Sequence, residues 1–157
     1  MARPDHPRSV YLDACCYIDW AEGKHSHAEV VTWLRAAHSG KVKIIASTAM
    51  FAEARATGNG RPDPAAEKRI RDLLQEPYVA LVDVTRRVGL LSRELGVERP
   101  RVKGMDALHL ATAIEADAEV FLSRDLKAFS TGEMYRGVWI EDPYEFGGEG
   151  LFPIPGK

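Results

Sequence analysis

Residues 103–125, KGMDALHLATAIEADAEVFLSRD, carry the reading that decides the fold. A polar, basic loop over Glu98–Gly104 stops at the glycine. A helix is expected from about Met105 to Asp117, with Leu110, Ala111 and Ile114 along one side. It runs directly into Glu119–Ser123, an apolar run of the length that a buried strand takes. Upstream, the same alternation recurs. Val10–Leu12 is a first strand that ends at Asp13, followed by an apolar stretch through Ile18 and a stop at Gly23. Val30, Val31, Leu34 and Ala37 space as one face of a helix over roughly His27–His38, with Gly40 as its stop. Val42–Ala46 is a second strand, and Ser47 or Thr48 caps the next helix, which carries Met50, Phe51 and Ala54. Gly58–Pro62 is a loop, and Asp63–Pro64 is a cap with proline in the first turn. Ile70, Leu73 and Leu74 form that helix's buried stripe, and Glu67 and Arg71 are a favourable i, i+4 pair. Val79–Val82 is a third strand, and Val88, Leu91 and Leu95 mark a helix ending near Gly96. Downstream of the fourth strand, Val138–Ile140 is a short fifth. Strands alternating with helices imply an α/β fold: a mostly parallel sheet of four to five strands, covered on both faces in three layers. One domain is expected over residues 1–157, with its core over about 9–142 and an irregular Gly/Pro-rich tail over 147–157.

Composition limits what such a domain does. The chain has 157 residues, 45% hydrophobic and 28% charged, which excludes disordered, collagen-like and disulfide-scaffold classes. The balance of 21 Lys+Arg against 23 Asp+Glu gives a net charge of −2, so contact with nucleic acid needs a local patch. Nothing approaches the ~18 continuous apolar residues of a membrane span. Cys15 and Cys16 are adjacent. Their Cα atoms lie ~3.8 Å apart across a trans peptide, short of the usual ~4.4–6.8 Å disulfide window. They are expected to be free thiols in a reducing compartment. Met1–Ser9 has no apolar signal core, so the expected location is cytoplasmic.

In an open α/β sheet, sites form beyond the carboxyl ends of the strands. Asp13 follows the first strand, and Asp125 lies just past the fourth in Leu122–Ser123–Arg124–Asp125. Asp106 opens the helix Ala107–Leu108–His109–Leu110, and Glu53 sits among apolar residues in Met50–Phe51–Ala52–Glu53–Ala54. Each acid has a plain structural reading. Asp106 can favour the helix dipole by roughly 0.3–1 kcal/mol, Asp125 can serve a turn, and Glu53 can face solvent. Asp13 is the exception, because an acid ending a buried strand needs a partner or a metal.

Taken together, these residues resemble a PIN domain. The resemblance rests on Leu12–Asp13, Glu53, Asp106–Ala107–Leu108 and Ser123–Arg124–Asp125, with Lys103–Ala113 its most specific part, and covers roughly Ser9–Asp142. In size and layout the chain is similar to the VapC-like ribonuclease toxins of toxin–antitoxin pairs. The resemblance implies a PIN-like fold and metal-dependent hydrolysis of single-stranded or structured RNA to 5′-phosphate and 3′-hydroxyl ends. Carboxylates are hard oxygen ligands that suit Mg²⁺, with Mn²⁺ as substitute. Asp13, Asp106 and Asp125 are assigned to metal ligation, and Glu53 to an outer ligand or to orienting the attacking water. Arg99, Arg101 and Lys103 precede Asp106, and Arg124 and Lys127 flank Asp125. All five are candidate phosphate contacts, with a merely solvated loop as the equal alternative for Arg99–Lys103. A small antitoxin partner and a homodimer follow from the same resemblance.

The chain also departs from the family pattern. Ala14 and Cys15 stand where the family commonly has Ser, Thr or Asn, so a hydroxyl orienting Asp13 is missing or comes from elsewhere. Lys127 stands where another acid is frequent, which favours a single tight metal. These departures motivate a rival reading, a PIN-like binding or scaffold protein with weak or lost catalysis. A phosphoryl-transfer domain of receiver or haloacid type also places Asp after its first strand. It is disfavoured here by Cys15 and by the lack of paired acids ahead of Asp13. His25 and His27 read as surface residues, and Trp33 as core rather than a base-stacking platform beside Trp20 and Trp139. Cys15 and Cys16 read as small buried hydrophobes. His109, three residues after Asp106, lies on the same side of its helix and is read as packed or water-bonded, although it can approach the site.

Overall fold

A computed structural model describes residues 2–56 and 60–147. The order is β1 (Ser9–Leu12), α1 (Ala14–Glu22), α2 (His27–His38), β2 (Lys43–Ser47), α3 (Met50–Glu53), α4 (Pro64–Leu74), β3 (Val79–Val82), α5 (Arg86–Glu98), α6 (Met105–Glu115), β4 (Val120–Leu122), β5 (Glu133–Tyr135) and β6 (Val138–Glu141). The caps follow residue type only in part. Asp63 Oδ1 accepts from the Ala65 and Ala66 amides, each at 3.1 Å, with Pro64 opening α4. Neither Ser47 nor Thr48 caps α3: its N-cap is Ala49, and Ser47 Oγ instead accepts from the Ala49 amide at 3.1 Å in the turn ahead of the helix. The residues beyond Gly147, and Gly58–Asn59 of the expected loop, lie outside the described set.

One sheet runs β3-β2-β1-β4-β6-β5, parallel except for the β5–β6 pair. Its six strands exceed the expected four to five by β5. That strand closes a hairpin onto β6 through Arg136 and Gly137, both at positive φ (48° and 85°), the geometry of a tight two-residue turn. From β1 the chain steps to β2 and then β3, crossing through α1–α2 and α3–α4. It then returns over the sheet through α5–α6 to β4. Right-handed crossovers therefore put α1, α2 and α4 on one face and α5 and α6 on the other. The packing agrees: α1 touches α2 and α4, and α5 touches α6.

The two central strands are sealed from water. Val10, Tyr11, Leu12, Val120, Phe121 and Leu122 are all fully buried, and Tyr11 stacks on Phe121 with ring centroids 5.5 Å apart. Trp33 belongs to the core as expected, its indole N–H donating to the Tyr144 carbonyl. Among the described residues, no helix is long and apolar enough to cross a membrane. The strand order reverses between β1 and β4, the switch point at which an open parallel sheet has its crevice beyond the carboxyl ends. The Asp13 amide donates to the Leu122 carbonyl at 2.9 Å and fixes the two strand ends side by side.

Candidate active site

Asp13 is the pivot of that crevice. It caps α1, with Oδ1 accepting from the Ala14 amide at 2.9 Å, and it is only 4% exposed. Its Oδ2 accepts from Ser123 Oγ at 2.7 Å. The same hydroxyl accepts from the Asp125 backbone amide at 3.1 Å, while Asp125 Oδ1 accepts from the Lys127 and Ala128 amides at 3.0 and 3.2 Å, the turn role its position allows. The orienting hydroxyl that Ala14 and Cys15 cannot provide thus comes from the far side of the crevice. Burial pushes the Asp13 carboxyl above the usual carboxylate range, while His109 and these hydrogen bonds pull it down.

Asp106 enters from the first turn of α6. Gly104 carries the chain into that helix at φ 58° and ψ −128°, a backbone conformation that side chains disfavour. The Asp106 carboxyl is pushed up to about 6, first by burial and then by the charges of Asp13, Asp125 and Glu53. The proton affinity of one acid therefore registers the proximity of the other three. A methyl group at Gly104 would meet nothing within 4 Å, so Gly104→Ala has a purely conformational cost. It should lower stability by about 1–3 kcal/mol in urea unfolding. A loss well under that range would remove the strain argument.

Glu53, on α3, completes the rim. Its Oε2 lies 2.5 Å from His109 Nε2, while His109 Nδ1 lies 2.5 Å from the Tyr11 hydroxyl. Asp13, Glu53 and His109 each offer a ligand atom, and these atoms lie within 4.8 Å of one another. With both His109 nitrogens engaged, the donors left for a cation are carboxylate oxygens, hard ligands that fit Mg²⁺ or Mn²⁺. The sequence reading gave His109 a packing role. It is fully buried, as that reading expects, but both ring nitrogens are engaged at the site. The signal for this was its spacing of three from Asp106 on one helix.

The cations divide. Arg124 forks onto the buried Asp19, with Nε to Oδ2 at 2.7 Å and Nη2 to Oδ1 at 3.0 Å. Arg99 pairs with Glu133 and lies over the Tyr135 ring at 3.8 Å. Arg101 Nε donates to the Lys127 carbonyl at 2.9 Å, tying the loop before α6 to the loop after β4. Lys103 and Lys127 are exposed and make no ion pair among the described residues. A depression of about 320 Å³ between Arg99, Arg101, Ala128 and Ser130 adjoins these loops. A larger cleft of about 630 Å³ lies away from the acids, lined by Trp20, Leu34, His38, Arg69 and Tyr78. Of the other side chains considered, Trp139 is buried, and His27 Nδ1 contacts the Trp20 carbonyl at 2.9 Å. His25 stays exposed at positive φ. Cys16 is buried and Cys15 half-buried, both as free thiols.

Comparison with known proteins places this geometry in context. A family model described as the PIN domain matches residues 10–132. Among solved structures, a toxin–antitoxin complex from Klebsiella pneumoniae is similar, with TM-score 0.62 and 24% identity over 87% of this chain and 98% of that one. VapBC2 from Rickettsia felis, bound to a DNA fragment from its promoter, gives TM-score 0.59 and 13% identity over 85% and 98%. The sarcin–ricin-loop-cleaving toxin VapC20 from Mycobacterium tuberculosis gives TM-score 0.56 and 16% identity over 78% and 91%. At these identities the likeness is one of fold. No curated protein sequence matches the chain significantly.

Proposed function

The chain belongs to the PIN domain family, and from that premise we propose that it is a metal-dependent endoribonuclease acting as the toxin of a toxin–antitoxin pair. The observation that carries the proposal is the cluster of Asp13, Glu53 and His109 at the β1/β4 switch point, their ligand atoms within 4.8 Å of one another, with Asp106 and Asp125 near enough to act electrostatically on the same site. Mutually repelling carboxylates are costly to gather unless a cation is to be held among them. Asp13, Asp106 and Asp125 would hold it, with Glu53 as an outer ligand or the group orienting the attacking water. When bound, Mg²⁺ acidifies that water and neutralises charge on the phosphodiester.

The protein's own groups do the remaining work. Ser123 and the Ala14 amide keep the Asp13 carboxylate from rotating. Lys103, Lys127 and the guanidinium end of Arg101 offer positive charge on the loops that flank the acids, where a single-stranded backbone would be gripped. The solved toxins of like fold, one a cleaver of the sarcin–ricin loop, support RNA as substrate and an antitoxin as partner. A homodimer in the reducing cytoplasm completes the proposal, consistent with the free Cys15 and Cys16. The rival reading as a scaffold loses one of its grounds, because Ser123 supplies the hydroxyl; Lys127 remains in its favour.

The decisive experiment incubates the purified chain, freed of any antitoxin, with single-stranded and hairpin RNA. Cleavage in Mg²⁺ that yields 5′-phosphate ends and stops with EDTA is the expected result. No cleavage of either RNA in millimolar Mg²⁺ or Mn²⁺ would overturn the proposal.

Metal and proton should also compete. The Asp106 carboxyl rises from an ordinary 3.8 to about 6, so between those values the folded chain holds a proton that the unfolded chain has released. Stability of the metal-free protein from this group falls as pH rises through that window. Mn²⁺ should therefore raise the melting temperature more at pH 7.5 than at pH 5, as read by differential scanning calorimetry. An equal rise at both would mean that Asp106 takes no part in binding.

A further inference from the structure

Tyr11, His109 and Glu53 form a hydrogen-bonded chain that the carboxylate chemistry alone does not require. It starts at the Ser47 amide, which donates to the Tyr11 oxygen at 3.2 Å. The Tyr11 oxygen then lies 2.5 Å from His109 Nδ1, and His109 Nε2 lies 2.5 Å from Glu53 Oε2. Tyr11 and His109 are both fully buried, so water cannot complete either partner set.

The proton count along this chain has one complete solution. The phenol has a single proton and already accepts from Ser47. If it donates to Nδ1, the ring is left with its proton on Nε2, aimed at a carboxylate oxygen that can only accept. Every donor then has an acceptor. If instead Nδ1 carried a proton, the Tyr11 oxygen would face two N–H donors and its own proton would have no acceptor in contact. A buried orphan of that kind costs about 1–3 kcal/mol.

We infer that His109 is a positioning residue for Glu53: its Nε2–H, locked in one tautomer by the Tyr11 hydroxyl, fixes the Glu53 carboxylate beside Asp13. Glu53 needs such a lock. It sits on a four-residue helix, and its side chain has three rotatable bonds before the carboxylate. His109 sits mid-way along α6 with its ring immobilised at both nitrogens. Tyr11 is held in turn by β1 and by its stacking on Phe121 at an interplanar angle of 12°. One strand thus registers two acids, Asp13 directly through the backbone and Glu53 through Tyr11 and His109. The sequence places Tyr11 two residues before Asp13, on the same side of the strand direction.

This inference rests on the nuclease reading above, and its test separates the two. In the metal-free, full-length protein, ¹⁵N NMR of the histidine rings should show His109 protonated at Nε2 and bare at Nδ1. Tyr11→Phe, which keeps the ring and removes the hydroxyl, should release that signature into a mixture of tautomers. Tyr11→Phe and His109→Ala should each lower kcat for RNA cleavage by about 10–100-fold, the usual scale for groups that orient a metal site's ligands. KM should stay within about twofold, as expected when ground-state binding is untouched. His109→Gln, which restores an N–H donor, should recover part of the loss. A wild-type ring protonated at Nδ1, or full kcat in Tyr11→Phe, would overturn the positioning role. A wild-type protein with the expected tautomer but no RNA cleavage would sink the nuclease reading instead. Should His109→Ala fail to fold, Tyr11→Phe and the wild-type spectrum still decide.

Discussion

Asp106→Asn should abolish RNA cleavage and, in metal-free buffer, produce a protein that melts above its parent. The two halves have one cause. Burial first, and then the charges of Asp13, Asp125 and Glu53, raise the Asp106 proton affinity, so the folded chain is strained by its charge. A neutral amide of the same shape relieves that strain, by about 1 kcal/mol once solvent screening of a half-exposed group is allowed for. The same amide is a poor ligand for a hard cation. Cleavage should fall by about 10³-fold, the rate equivalent of the several kcal/mol that a well-held cation contributes at a phosphodiester. Asp13→Asn should lose activity to a similar degree without the gain in stability. Both Asp13 oxygens accept, one from Ala14 and one from Ser123, and an amide nitrogen cannot replace either acceptor. Activity and thermal melting measured on the same preparations check all of this. An Asp106→Asn variant that is inactive and also less stable would mean that neither burial nor the neighbouring acids strain the Asp106 charge. One that still cleaves would remove Asp106 from the metal site.

What the sequence made legible follows from the range over which each signal acts. Val10–Leu12 ending at Asp13 and Val120–Leu122 ending before Asp125 are local patterns, and a switch-point crevice between two such strands follows from topology alone. The helix over Met105–Glu115 was readable from its apolar side, and Gly104 from its place at the boundary. The strand Glu133–Tyr135 was not readable. It is a half-exposed edge strand whose turn uses Arg136 in a left-handed conformation, where Asn or Asp would have announced a hairpin. The contacts that orient the acids were equally hidden. Ser123 meets Asp13 across 110 positions, and His109 meets Glu53 across 56. No spacing rule reaches that far. The hydroxyl expected next to Asp13 is supplied instead by Ser123, which the sequence marks as part of the Ser123–Arg124–Asp125 motif but not as a partner of Asp13.

Arg124 shows the same limit and carries the second large effect. Local sequence makes it a cation beside Asp125 and hence a phosphate contact; the fold turns its guanidinium onto Asp19, which is 2% exposed. Asp19 also accepts from the Ser26 hydroxyl at 2.7 Å and the Ser26 amide at 3.3 Å. The fork therefore joins the α1–α2 turn to the loop after β4 that carries Asp125. Arg124→Ala strips the countercharge from a buried carboxylate. The full cost of breaking a buried pair is about 3–5 kcal/mol, reduced here because the Arg124 side chain is 40% exposed. A loss of about 2–3 kcal/mol in urea unfolding is the expected result. Arg124→Lys should recover only part of it, because an ammonium cannot make the two parallel bonds of a guanidinium. Adding Asp19→Asn to Arg124→Ala should restore stability, since the orphaned charge is then gone. A phosphate contact behaves differently: Arg124→Ala would raise KM for RNA, leave stability unchanged, and gain nothing from Asp19→Asn. Unfolding curves for the three variants, beside KM for the two single ones, therefore tell whether Arg124 holds the loop or the substrate.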